Sequence, residues 1–229
     1  MDKDFIKIFQ ETKALMHGHF ILSSGLHSDT YFQCAKVLQY PEHLSMFGTM
    51  LSDHFSDLEI DKVISPAIGG IVLGTEVGRQ LNKRTIFSER SNGKMKLRRG
   101  FNIKENEKIL LIEDVLSTGG SIKEVIELIS KHKGNVVGVG VIVDRSLSPL
   151  FIHDNFYSIT TQKAKIFDKD NIPEELKGIP AIKPGSIPEY IVVLFRLIKV
   201  IKPLGLRLGS MHHLRSIKAW VCPPPAKTR

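Results

Sequence analysis

Cysteine is nearly absent: Cys34 and Cys222 are the only two among 229 residues, far apart and without a CxxC partner. This scarcity argues against both a disulfide framework and a zinc site, and it suits a reducing compartment. Long hydrophobic runs are missing too. The longest apolar stretch, Tyr190 to Ile198, is broken by Arg196 and followed by Lys199, far short of the roughly 20 residues a membrane-spanning helix needs. The opening Met-Asp-Lys-Asp lacks a charged segment leading into an apolar one, so no secretory signal is expected. These absences predict a cytoplasmic protein.

Charge of one sign is scarce over most of the chain. The net charge is +8, yet residues 187–229 hold eight Lys or Arg against the single acid Glu189. The rest is close to balance, which removes any global electrostatic case for nucleic acid as a partner. With 42% hydrophobic residues, the chain can bury one sizeable core.

What is present is an alternation of helical and extended patterns. Phe5, Ile8, Phe9, Thr12 and Leu15 predict an amphipathic first helix ending near Gly18. A pair of short strands follows about a turn at Ser24-Gly25. Pro41 opens a helix whose buried stripe is Leu44, Phe47, Leu51, Phe55 and Leu58. Strands are then expected at Val63 to Ser65, Arg84 to Ser88, Ile109 to Ile112, Val136 to Val143 and Tyr157 to Thr160, with helices after the first and third. This pattern predicts an α/β fold: a doubly wound parallel sheet flanked by helices, with a small N-terminal hairpin hood and ligands beyond the C-terminal strand ends.

Residues 109 to 121 carry the sharpest signal. An apolar strand runs into Glu113-Asp114 and then Val115-Leu116-Ser117-Thr118-Gly119-Gly120-Ser121, a small-residue loop opening into a helix with Ile122, Val125, Ile126 and Ile129 on one face. Ser121 and Glu124 are spaced as a capping box, and Gly134 is placed to end the helix. Free amides at such a helix start grip phosphate. The two acids can accept hydrogen bonds from vicinal sugar hydroxyls or hold a hydrated divalent ion. Neither a P-loop lysine nor a G-x-G-x-x-G dinucleotide motif is present, so a phosphorylated sugar is the ligand this stretch suits best.

Other stretches are equivocal alone. Pro66-Ala-Ile-Gly-Gly permits close approach of a diphosphate, or tight helix-strand packing. Arg90 to Arg99 holds five cations between Glu89 and Gly100, as either a solvated face or a lid that neutralises a leaving diphosphate. Arg145 at a strand end can clamp a carboxylate or form a local ion pair. Tyr31 and Phe32 on the hairpin offer a platform for a flat ring, or simply pack on the domain.

Together, the Ile109 to Ser121 stretch, Gly18 to Gly25, Glu89 to Phe101, Asp144-Arg145 and Ile179 to Lys183 resemble the type I phosphoribosyltransferases and, among them, the orotate branch. The resemblance covers roughly residues 5 to 186. It implies transfer of a phosphoribosyl group from phosphoribosyl diphosphate (PRPP) to orotate with Mg2+, giving orotidine 5'-phosphate and diphosphate. Glu113 to Ser121 would bind the ribose 5-phosphate moiety, with Asp114 catalytic, while Ser117 and Arg145 contact orotate between Tyr31 and Phe32. Arg90, Lys94 and Lys96 match the lid cations, with Lys94 catalytic in the neighbouring subunit's site of a homodimer. The metal would be held mainly by substrate, by water to Asp114 rather than by direct protein ligands. Ser23 and Gly69 stand where many members carry Lys, and Glu113 where they carry Asp. A purine phosphoribosyltransferase and a PRPP-sensing regulator that grips nucleic acid are the alternatives.

Members of that family finish shortly after the equivalent of Pro180 to Ser186, so residues 1–186 are expected to form the phosphoribosyltransferase domain and 187–229 a basic extension foreign to the fold. Truncation after Ser186 is expected to leave orotate-dependent turnover unchanged while weakening adhesion to anionic surfaces. Loss of turnover or of cooperative melting in the truncated chain would show that the extension supplies core or interface contacts.

Overall fold

The structure, a computed structural model, describes residues 2–22, 24–146 and 149–184. Ser23 and the extension from residue 187 lie outside the described residues. The N-terminal part comprises α1 (Asp2–Glu11), β1 (Leu15–Ile21), β2 (His27–Phe32), α2 (Ala35–Leu38) and α3 (Pro41–His54). The central part runs β3 (Lys62–Pro66), α4 (Gly69–Gln80), β4 (Arg84–Ser91), β5 (Lys94–Leu97), β6 (Lys108–Leu116), α5 (Gly120–Lys131) and β7 (Asn135–Asp144). It ends with β8 (Phe156–Thr161), β9 (Ile166–Phe167) and α6 (Glu174–Lys177).

Six strands form the main sheet in the order β5-β4-β3-β6-β7-β8, parallel except for β5. Strand β6 lies at its centre because Ile109, Leu110, Leu111 and Ile112 are all fully buried, alternating between the two faces. Leu110 and Ile112 meet α3 and α4 through Leu51, Leu73 and Val77, while Ile109 and Leu111 meet α5 through Val125 and Ile129. Burying each such side chain contributes about 1.5–3 kcal/mol relative to exposure. Helix α4 therefore crosses from β3 to β4 on one face, and α5 from β6 to β7 on the other. The chain reverses its winding between β3 and β6, and the C-terminal ends of those two strands open a crevice.

The second sheet is the expected hood, β1-β2-β9, antiparallel. The doubly wound sheet and hood agree with the sequence reading, and several local expectations need correction. The first helix stops at Glu11, and Leu15 already belongs to β1; Lys13 takes a left-handed turn at φ 56°. The cationic stretch is an antiparallel hairpin, with β4 extended to Ser91 and joined to β5 through Asn92 (φ 53°) and Gly93 (φ 76°). Asn-Gly is a strong short-hairpin signal, and the density of charge obscured it. Helix α5 ends in a Schellman arrangement whose left-handed residue is Lys133 (φ 60°), with Gly134 donating to Ile129 O at 3.0 Å. Gly134 is needed for packing, since a Cβ there would stand 2.7 Å from Ile103 Cγ2.

Candidate active site

Strand β6 does not stop at Ile112. It continues through both acids to Leu116, with Glu113 opposite Val141 and Val115 opposite Val143. The acids are consequently strand residues rather than loop residues, which aims them at the crevice with little freedom. Glu113 is buried and Asp114 half-buried. Glu113 Oε1 accepts from the Asp114 amide at 3.2 Å, and Asp114 Oδ1 accepts from the Val115 amide at 2.9 Å.

The following loop, Ser117 to Gly119, delivers the chain into α5. Its cap is Gly119 at φ 75°, with no side-chain cap bond, so the Ser121/Glu124 capping box does not form. Glu124 is engaged elsewhere: Arg90 donates to it in a bidentate pair at 2.9 and 3.0 Å. The helix start is thus left with its amides uncapped by side chains, as an anion site requires.

Across the crevice, the Pro66 to Gly70 segment packs directly on the acids. A Cβ on Gly69 would lie 2.6 Å from an Asp114 carboxylate oxygen, and one on Gly70 would lie 3.0 Å from Ile112 O. Any side chain at residue 69 would displace the acid.

Two connected clefts result, of about 520 and 320 Å3. The larger follows the loop and includes Arg90, Glu113, Val115 and every residue from Leu116 to Ser121. The smaller lies under the hood and includes Tyr31, Phe32, Asp114, Ser117 and Arg145. Lys94 and Lys96 are exposed on β5 and line neither. Tyr31 and Phe32 differ in role. The Phe32 ring is buried edge-on against Phe9 at 5.3 Å, as core, whereas Tyr31 is half-buried and its hydroxyl is raised above its ordinary 10.0 by burial and then by Asp114.

Arg145 is almost wholly buried, and its Nη2 donates to Ser28 Oγ at 2.9 Å and to Thr30 O at 3.2 Å. It is no local ion pair. Its Nε is buried without a partner, and burial lowers the guanidinium's affinity for the proton. A buried guanidinium with an unspent donor suits an anionic ligand atom. Ser24, Gln33 and Lys183 also border the clefts. Of these, Lys183 lay within a stretch that carried the family resemblance, but nothing local in the sequence signals that it reaches the crevice.

A family model for the phosphoribosyl transferase domain matches residues 36–177. With the sheet reversal and the loop that follows the acid pair into α5, this makes the chain a type I phosphoribosyltransferase. The orotate phosphoribosyltransferase of Chlorobium phaeobacteroides (strain BS1) is 51% identical over 181 residues, 79% of this chain and 94% of that one. That of Caldicellulosiruptor bescii is 49% identical over 187 residues, 81% of this chain and 98% of that one. Among solved structures, orotate phosphoribosyltransferase from Aeropyrum pernix gives a TM-score of 0.57 at 23% identity, covering 68% of this chain and 92% of that one. Adenine phosphoribosyltransferase from Rhodothermus marinus gives 0.55 at 18% identity, covering 69% and 99%. These two likenesses show the shared fold. The chain belongs to the orotate phosphoribosyltransferase family.

Burial, and secondly the neighbouring Asp114, hold the Glu113 carboxyl well above its ordinary 4.5. Asp114 is raised from 3.8 by burial, against the stabilising bonds from Glu113 and the Val115 amide. Ionisation of a raised acid opposes folding: the penalty is absent below the unfolded value and grows as pH climbs towards the folded one. Glu113→Gln is therefore expected to melt above the parent chain in ligand-free alkaline buffer, with the gap closing as pH falls to 4.5. A gap independent of pH, measured by thermal denaturation, would mean that Glu113 ionises without penalty.

Proposed function

We propose that this crevice transfers the phosphoribosyl group of PRPP to N1 of orotate, yielding orotidine 5'-phosphate and diphosphate in pyrimidine biosynthesis. The observation that carries the reading is a single crevice holding the Glu113-Asp114 pair, the uncapped start of α5 and the partly unspent Arg145 guanidinium beneath an aromatic hood. A purine base has no carboxylate to use Arg145.

Glu113 and Asp114 accept hydrogen bonds from the ribose hydroxyls and orient the anomeric carbon. The amides and hydroxyls from Ser117 to Ser121 hold the 5-phosphate, each contributing modestly. Tyr31 borders the ring, while Phe32 is held in the core against Phe9, and Ser117 and Arg145 bind the orotate anion. Reaction at the anomeric carbon develops positive charge on the sugar and negative charge on the departing diphosphate, so positioning and charge neutralisation account for the rate.

Mg2+ ordinarily takes one or two carboxylates together with water and phosphate oxygens. The adjacent carboxylates of Glu113 and Asp114 fit an ion that arrives with PRPP, and among the described residues no three Asp, Glu, His or Cys converge as a separate metal cage. When bound, the ion supplies charge neutralisation at the diphosphate.

The lid cations act in trans. Lys94 and Lys96 are exposed on the hairpin and line neither cleft of their own chain, while Arg90 borders its own; a homodimer whose hairpin covers the partner's site gives Lys94 a catalytic role at the leaving group. No helix among the described residues is long and apolar enough to cross a membrane, which supports a cytoplasmic site of action.

Orotate-dependent diphosphate release from PRPP tests the activity directly, and its absence in the unmodified chain would overturn the reading. Arg145→Lys keeps the charge and loses the fork. It is expected to raise the orotate KM by about tenfold to a hundredfold, the equivalent of a charge-assisted hydrogen bond of ~1.5–3 kcal/mol, with little change for PRPP. Equal effects on both substrates would remove Arg145 from orotate binding. For the lid, mixing Lys94→Ala with Asp114→Asn chains should restore activity to two nearly dead preparations, because some heterodimers contain one intact composite site. Subunit exchange without recovered turnover would exclude a shared site.

A further inference from the structure

Lys183 borders both clefts, beside Ser24 and Arg90 along the loop and beside Tyr31 and Arg145 under the hood. The other cleft cations are already held. Arg90 is gripped by Glu124, and Arg145 is bonded to Ser28 and Thr30. The Lys183 ammonium has no ion pair or hydrogen bond among the described residues.

Its backbone, by contrast, is firmly attached. Ile182 N donates to His19 O and Ile21 N donates to Ile182 O, both at 2.8 Å, so a single parallel bridge pins the chain just before Lys183 beside β1. His19 Nδ1 donates to Ile179 O at 2.8 Å, and the ring's Nε2 meets His27 Nδ1 at 2.6 Å. With Nδ1 committed to a carbonyl, a neutral His19 accepts at Nε2 from His27. The imidazole pair thereby ties the segment to both hood strands. Lys183 is anchored to the element that carries Tyr31, not to the phosphate loop.

Charge balance gives this position a use. Glu113 and Asp114 border the same space, and an anionic base must enter beside them. The 5-phosphate has its own amides and hydroxyls, while among the described cleft residues the only cation so far assigned to the base is Arg145. Given the orotate reading above, we infer that Lys183 is a substrate-binding residue that contacts the pyrimidine anion and supplies the second positive charge of the base site.

Steady-state kinetics of the full chain, with orotate and PRPP varied separately, test this for Lys183→Met and Lys183→Arg. Lys183→Met should raise the orotate KM about tenfold, the loss of one charge-assisted contact, while the PRPP KM stays within about twofold. Lys183→Arg should recover most of the orotate affinity, and neither exposed-site variant should shift the melting temperature. An orotate KM unchanged in Lys183→Met overturns the assignment. So does a PRPP KM that rises as much as that of orotate, which would place the ammonium on a phosphate. Absence of orotate-dependent turnover in the unmodified chain is a different result and strikes the proposed function instead.

Discussion

Strand β6 must be buried on both faces, and that constraint organises the molecule. Its run from Ile109 to Ile112 has no exposed side, so helices must cover the sheet above and below. A parallel sheet meets the demand by winding one crossover on each face, which opens a crevice where the winding reverses. The same strand then carries Glu113 and Asp114 into that crevice without an intervening loop. Core and site are thus two halves of one nine-residue strand.

Holding two neighbouring carboxyls there costs stability, because burial opposes the ionisation of both and the Asp114 charge further opposes that of Glu113. Such an arrangement persists where a ligand uses it. The packing around the acids is correspondingly exact in its demands: Gly69 and Gly70 leave no room for a Cβ, and Asp114 is held by the Val115 amide. The family's frequent Lys at residue 69 is therefore incompatible with this backbone unless the acid shifts.

The hood is bound to the sheet by polar contacts that also serve the site. Arg145 follows directly on β7, bonds to Ser28 and Thr30 of β2, borders the cleft and retains a buried Nε without a partner. His19 and the Ile179 to Ile182 segment complete the attachment from the far end of the domain. Hood placement and the proposed base site therefore share Arg145, whereas the Ser117 to Gly119 loop is set by β6, α5 and the side chains of Leu150 and Ile152.

By itself the sequence determined the features governed by local periodicity: the buried strands, the stripe of Phe47 and Leu51 in α3 with Phe55 at its end, the small-residue loop between an apolar strand and an amphipathic helix, and hence the fold class and family. Tertiary structure alone decided which side chains meet across elements. Glu124 has capping-box spacing, yet Arg90 from β4 takes it; Phe32 belongs to an apparent ring platform, yet it packs on Phe9 from α1; Lys183 has no local sequence sign of a site, yet pairing of Ile182 with β1 brings it to the cleft. The physical reason is that residue spacing reports which way a side chain points from its own strand or helix. The partner it finds depends on sheet order and crossover hand, which are settled only when the whole core closes.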